Sequence, residues 1–308
     1  MLLSLEQVTR LYGIVIGVND VTLTVPEGAH GILGPNGAGK STLLNLITGQ
    51  LRPSKGKLTV LGHSPRDPAL LRRLGYLPGS EGMYADVSAI EWVTYLTQLQ
   101  GFRASDARQM ACRAMARVQL ADVQDRKIST FSRGMRQRTR LAQAIAHEPE
   151  LLILDEAFSG LDPIARHAMT TLLQQWIAEG RSLLIASHVL HEIESLTRSF
   201  LLISGGRLLA SGSTEEISRL LTSVPATVEL ALNEPRKLAA QLVASGLVDS
   251  VRVEADRLHA TTGSGRELAQ FLADQSVSGA LEISEVRSSD DSLQDVFHSL
   301  MKLHRGIA

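Results

Sequence analysis

The residues Gly34-Pro35-Asn36-Gly37-Ala38-Gly39-Lys40-Ser41-Thr42 have types and spacing that could hold a phosphate chain. They match the phosphate-loop pattern G-x-x-x-x-G-K-[ST] at each fixed position. An apolar run ending Gly31-Ile32-Leu33 reads as a strand ahead of them, and Leu43-Leu44-Asn45-Leu46-Ile47 reads as an opening helix behind. Glycines at 34, 37 and 39 are expected to adopt backbone angles closed to other residues, so that main-chain N–H groups approach an anion. The helix start adds its positive dipole end at the same spot. Lys40 is placed to reach the outer phosphates and the Ser41 hydroxyl to bind Mg²⁺. A glycine-rich turn without a ligand leaves the Lys-Ser pair between strand and helix unexplained. We expect a nucleoside triphosphate to bind here.

A second constellation is Leu151-Leu152-Ile153-Leu154-Asp155-Glu156. An apolar strand ending in two acids puts carboxylates at the carboxyl edge of a sheet, where open α/β folds bind ligands. Asp155 would hold Mg²⁺, directly or through water. Glu156 is placed to polarise an attacking water as general base. An exposed strand end is the plain alternative, weakened by the phosphate loop upstream.

The third is Phe131-Ser132-Arg133-Gly134-Met135-Arg136-Gln137-Arg138, running into a helix. Ser132 is a good N-cap, Gly134 leaves room for a phosphate, and the helix dipole points at an anion. Local chemistry alone favours a capped amphipathic helix with a basic solvent face. Order along the chain argues otherwise, because this segment lies between the phosphate loop and the Asp-Glu strand.

These residues need elements to hold them. Residues 4–10 and 21–25 read as paired strands, and 57–61 as a short strand after a turn. From about 85 to 147 the pattern is helical, with Ile90, Val93, Tyr95, Leu96 and Leu99 forming an apolar face. The apolar runs 151–154 and 183–186, separated by a helix over 163–179, suit a parallel sheet covered on both faces. Residues 200–210 read as a hairpin turning at Gly205-Gly206. Beyond about 224 the pattern changes to strand 227–232, helix 235–244, strands 250–254 and 258–262, helix 266–274, strand 281–286 and helix 292–302. That βαββαβ order plus a helix is the ferredoxin-like arrangement.

Composition sets outer limits. The chain has 308 residues, room for about two domains, with 44% hydrophobic and 20% charged residues. The formal net charge of −1 leaves no electrostatic footprint for nucleic acid. The single cysteine, Cys112, allows no internal disulfide and is expected to be a buried, inert thiol in a reducing compartment. No secretory signal and no apolar run long enough to cross a bilayer are visible, so a soluble chain is expected.

Together the motifs resemble the ATP-binding cassette of ABC transporters over about residues 1–220. The loop 34–42 is similar to the Walker A motif and 151–156 to Walker B. Ser159-Gly160-Leu161-Asp162 resembles the D-loop, Ser187-His188 the switch histidine, and Tyr12-Gly13 the adenine-stacking aromatic. Ser132 to Arg138 resembles the signature segment, in a form common in ABC-2-type exporter cassettes. The tail, with Leu293-Gln294-Asp295-Val296-Phe297, is similar to tails of such exporters.

The resemblance implies an α/β P-loop ATPase core with a helical subdomain (about 85–147) and an antiparallel β subdomain. The ATPase domain would span 1–222, and a small α+β ferredoxin-like accessory domain 223–308. It further implies a homodimer sandwiching two ATP, with Mg²⁺ and a separate transmembrane permease at the cytoplasmic face of the inner or plasma membrane. Ser132 and Gly134 would act in trans, Asp162 would link the two sites, and His188 would hold the γ-phosphate and the water with Glu156. Tyr12 would stack on adenine, although an aromatic there could simply pack on the sheet edge.

This chain departs from the family pattern at Gly79, where a Gln or Glu follows Gly-Tyr-Leu-Pro. Ser80 or Glu81 would have to substitute, or coupling would be looser. Arg133 and Met135 also differ, in the exporter-like manner. Residues 85–129 would face the permease, with Met83 and Tyr84 near the docking groove. Three rivals stand beside this reading: an ABC ATPase powering a membrane assembly or mechanotransmission complex, a soluble ABC protein acting on ribosomes or DNA, and another P-loop kinase or GTPase.

Overall fold

The structure is a computed structural model that describes residues 1–80, 82–213, 216–217, 226–277, 281 and 283–288. The chain forms two compact units, Met1–Ser211 and Gly212–Ala308. The boundary expected at 222/223, the helix 292–302, the tail residues 293–297 and Glu81 lie outside the described residues.

The first unit is built around β1 (Leu3–Tyr12), β2 (Val15–Val25), β3 (Ala29–Leu33), α1 (Lys40–Ile47), β4 (Lys55–Val60), α2 (Pro68–Leu71) and β5 (Leu74–Leu77). It continues with α3 (Ala89–Leu99), α4 (Ala104–Arg117), α5 (Arg133–Ile145), β6 (Leu151–Asp155), α6 (Pro163–Ala178), β7 (Ser182–Ser187), α7 (Leu190–Glu194), β8 (Ser199–Ser204) and β9 (Arg207–Ser213), whose last two residues fall past the boundary at Ser211. Six strands form one sheet in the order β5-β6-β7-β3-β8-β9. The pairs β5-β6, β6-β7, β7-β3 and β3-β8 are parallel. Every residue of β6 and β7 is buried, as unbroken apolar runs in a two-sided sheet require.

A second sheet, β2-β1-β4, is antiparallel, and its first two strands are longer than the expected 4–10 and 21–25. One continuous core joins Leu3, Leu5 and Val21 of that sheet, Leu43, Leu44 and Ile47 of α1, and Ile153 and Leu184 of the parallel sheet. Burying apolar area at about 25 cal/mol per Å² is what locks α1 against the strands around it. The phosphate loop therefore sits on a rigid base.

Residues 85–147 are three helices that pack on one another, with short 3₁₀ turns between α4 and α5. A capping box starts α3: Ser88 Oγ accepts from the Glu91 N–H, and Glu91 accepts from the Ser88 N–H. Its buried face is Ala89, Ile90, Trp92, Val93 and Thr97. Tyr95 and Leu99, expected in the apolar face, are 54% and 66% exposed. Helical rotation places them one step outside the stripe that Trp92 and Thr97 fill. Cys112 is half-buried on α4.

The second unit contains β10 (Ala226–Leu232), α8 (Pro235–Ser245), β11 (Ser250–Glu254), β12 (Arg257–Thr262), α9 (Gly265–Val277) and β13 (Ile283–Ser288). Its antiparallel sheet runs β11-β12-β10-β13. Leu230, Leu258, Leu238, Leu242 and Leu268 form a separate core.

Candidate active site

The carboxyl edge of the parallel sheet gathers the phosphate loop, Asp155, Glu156 and His188. After β3 the chain turns through residues 34–39 into α1, whose N-cap Gly39 has φ 105° and makes no side-chain cap. Gly37 has φ 79°. Both positions need glycine for their backbone angle. Gly34 differs from the expectation: it has no positive φ, and a Cβ there would stand 2.3 Å from the Ile203 carbonyl oxygen. Room, not angle, is what Gly34 supplies.

Lys40 is 5% exposed, with Nζ donating to the carbonyls of Gly34 (2.7 Å) and Pro35 (3.3 Å). The same Nζ lies 3.3 Å from Glu156 Oε1. Glu156 Oε2 lies 2.9 Å from His188 Nδ1. One carboxylate thus bridges a cation from the loop and an imidazole one residue past β7. Glu156 follows β6 directly at φ 50°, an uncommon angle for a side chain of its size. Its N–H donates to the Ala186 carbonyl on β7 at 2.9 Å, which holds the turn in place. A carboxylate in this setting can accept a proton from a water or orient one.

Asp155 ends β6 and is 4% exposed. Burial raises its carboxyl pKa, helped by the Glu156 charge and opposed by a hydrogen bond from Ser41 and the Lys40 charge. Its Oδ1 has no hydrogen-bond partner among the described residues. An unpaired buried carboxylate oxygen beside a serine hydroxyl suits a hard cation, so these residues fit Mg²⁺. The phenol of Tyr76 is pushed up to about 12 by burial and then by the charge of Asp155. Gly79 lies against the same acid, since a Cβ on it would be 3.4 Å from Asp155 Oδ2.

A cleft of about 330 Å³ opens over the loop, lined by Tyr12, Val15, Ile16, Gly17, residues 35–42 (Asn36, Ala38 and Thr42 among them) and Glu156. Tyr12 is 43% exposed, with the Arg10 guanidinium 4.9 Å from its ring centroid and its hydroxyl 3.5 Å from Thr42 Oγ1. Val15, Ile16 and Gly17 escaped the sequence reading. They open β2, which pairs with β1 across the turn that follows Tyr12, and only that hairpin brings them to the loop.

The signature-like residues stand apart and line no part of that cleft. Ser132 caps α5 by accepting from the Met135 N–H at 3.2 Å. A Cβ on Gly134 would be 3.0 Å from the Cβ of Ala165 on α6, and the Arg133 guanidinium covers Gly160. Asp162 caps α6, accepting from the Ala165 N–H at 2.8 Å. Of two buried polar side chains of α5, Arg140 escaped the sequence reading and Gln137 entered it only as part of the segment 131–138. Their signal is a pair of polar residues three apart on the helix face that carries Leu141 and Ala144 inward.

Comparisons with known proteins give the family. The family profile for ABC transporters matches residues 18–159. The daunorubicin/doxorubicin resistance ATP-binding protein DrrA of Streptomyces peucetius is 32% identical over 299 residues, 94% of this chain and 89% of DrrA. An uncharacterised ABC transporter ATP-binding protein of Nostoc sp. is 38% identical over 206 residues, 66% of this chain, and the chain spans 62% of that relative's length. A solved ATP-binding subunit of an ABC transporter matches with TM-score 0.64 and 28% identity over 72% of this chain and 93% of its own. With the phosphate loop, Asp155, Glu156 and His188 at one sheet edge and relatives that match along most of the chain, the chain belongs to the ABC transporter family, as an ATP-binding, ATP-hydrolysing subunit.

Proposed function

We propose that this subunit dimerises on ATP, hydrolyses it, and drives a separate membrane permease of the ABC-2 exporter type. The observation that carries the hydrolysis is Glu156 held between Lys40 Nζ (3.3 Å) and His188 Nδ1 (2.9 Å) at the end of β6. The loop 34–42 would cradle the phosphates with its N–H groups and Lys40, and Tyr12 would stack on the base. Ser41 and Asp155 would hold Mg²⁺, which when bound neutralises charge on the phosphates. Glu156 would take the proton of the attacking water, and His188 would orient that water at the γ-phosphate.

Ser132 and Gly134 would meet the ATP held by a second copy, and Asp162 would link the two sites. That Ser132 and Gly134 line no part of the cleft over the loop of their own chain supports action in trans. Support for the exporter reading comes from the Gly134-Met135-Arg136-Gln137-Arg138 form and from likeness to DrrA along most of both chains. The helical segment from about 85 to 129 is the surface we assign to the permease, with Met83 and Tyr84 near the docking groove; Tyr84, just ahead of that segment, is 72% exposed. No helix among the described residues is long and apolar enough to cross a membrane, so attachment would be peripheral, through that partner at the cytoplasmic face. We read residues 1–222 as the ATPase domain and 223–308 as an accessory domain; the order β11-β12-β10-β13 supports a ferredoxin-like tail.

Glu156→Gln tests the centre of this. It should keep ATP affinity, lose about 100-fold or more in turnover, and elute as an ATP-dependent dimer on size exclusion. Hydrolysis at the parent rate would remove Glu156 as base, and a monomer with ATP bound would remove the dimer. Affinity purification from detergent-solubilised membranes should recover a polytopic partner; none recovered would sink the permease.

A further inference from the structure

Arg140 lies two turns into α5 from Ser132 and is 5% exposed. Its Nη1 donates to Gln137 Oε1 at 2.7 Å, and its Nη2 donates to the carbonyls of Pro78 and of Ser80, the latter at 2.5 Å. Gln137, itself buried, passes the chain on: its Nε2 donates to the Ala157 carbonyl at 2.8 Å. One guanidinium therefore grips the two carbonyls that bracket Gly79. Through Gln137 it also holds the carbonyl of the residue next to Glu156.

Three segments far apart in sequence meet at this fork: the loop after β5, the turn after β6, and α5. A planar guanidinium has donors in fixed directions and can serve several acceptors at once, which a lysine cannot. Its burial makes the arrangement strict, because a buried cation displaced from its acceptors is costly. A shift of α5 must either carry residues 78–80 with it or break these bonds. Residues 78–80 are where such a shift would be felt, since Gly79 abuts the carboxylate of Asp155. Gly79 has no side chain to relay anything itself.

We propose that Arg140 is a positioning residue that ties the signature helix to segment 78–80 and to the Glu156 turn, and so sets the aim of both acids for hydrolysis. It is not among the residues that line the cleft over the loop. This rests on the hydrolytic reading of the site.

The test compares full-length parent, Arg140→Ala and Arg140→Lys by steady-state ATPase kinetics, by equilibrium binding of a fluorescent ATP analogue, and by thermal midpoint. Arg140→Ala should lower kcat by about tenfold or more, the scale expected when reacting groups are misplaced. KM and analogue affinity should stay within about threefold of the parent, because no binding group is removed. Arg140→Lys should fall between parent and Arg140→Ala in kcat. A folded Arg140→Ala with the parent's kcat overturns the proposal. So does a loss of analogue affinity as large as the loss of kcat, which would make Arg140 a binding residue.

If Arg140→Ala does not fold, Arg140→Lys decides. A kcat reduced by about threefold or more at unchanged KM supports the coupling, and a parent-like kcat overturns it. The double variant Gln137→Ala with Arg140→Ala should be no slower than the worse single one, because both break the same chain. Additive losses overturn the relay. A parent that binds the analogue and never hydrolyses ATP sinks the hydrolytic reading and this inference together, a different failure from an active parent indifferent to Arg140.

Discussion

The chain starts two helices at places where a phosphate could be received, and it finishes them differently. At α1 the N-cap is Gly39, in the left-handed region, and no side chain accepts from the first turn. At α5 the N-cap is Ser132, whose hydroxyl already accepts from the Met135 N–H. Neither helix has an acid in its first turn. The open start offers bare amides, flanked by Lys40, to a ligand of its own chain. The closed start is self-sufficient within one chain, and a phosphate reaching it must compete with, or join, its own cap. On the proposed reading, the difference separates a primary binding site from a surface that would act only when a partner brings the anion.

Removing the cation at the open start is the largest expected break in that comparison. Lys40→Ala should weaken ATP binding by about 100-fold, or ~2.7 kcal/mol, read by titrating a fluorescent ATP analogue. Unchanged affinity would make the loop a structural turn. At the closed start, Ser132→Asp separates cap from ligand. Aspartate caps as well as serine, so the thermal midpoint should hold within about 0.5 kcal/mol of stability. A second negative charge facing a phosphate should still cut turnover by about tenfold, while ATP affinity of the isolated chain stays as it was. Full turnover in Ser132→Asp would mean that no phosphate comes to α5.

The smallest effect concerns the scaffold behind each start. His30 lies on β3, which feeds α1, and His147 lies two residues beyond α5. Burial lowers the pKa of both imidazoles, against a backbone hydrogen bond that raises it in each. Between the lowered folded values and the ordinary value near 6.5, the unfolded chain holds more protons than the folded one. Stability is then fully present above about pH 6.5 and drains away as pH falls below it. His147→Gln keeps a donor for the Leu74 carbonyl and should flatten that fall in a thermal-melt series. An identical pH slope in His147→Gln would assign the sensitivity to His30 and the α1 side.

The open start was legible from the chain alone, because its glycines, lysine and serine are contiguous between a strand and a helix. Glu156 and His188 were legible for a similar reason: each follows a buried apolar strand, and parallel pairing of β6 with β7 puts the two strand ends side by side. The reason for Gly34 was not, since the Ile203 carbonyl that crowds it arrives from β8. Nor was the fork at Arg140, whose acceptors are main-chain carbonyls with no residue type to give them away. Tyr95 and Leu99 misled because hydrophobicity alone does not fix which edge of a helical stripe is covered. Contacts made through backbone atoms, or between elements far apart in sequence, leave no local pattern to read.

Glu156 holds its carboxylate on a backbone at φ 50°, a conformation that costs a residue of its kind on the order of 1 kcal/mol or more. Glycine would relax that turn, and asparagine would relax it in part, while both would discard the carboxylate proposed as the proton acceptor. Selection for thermostability and selection for turnover therefore pull this one position in opposite directions. A screen of this chain for heat resistance alone would enrich substitutions here, and the winners would be robust proteins that no longer consume ATP.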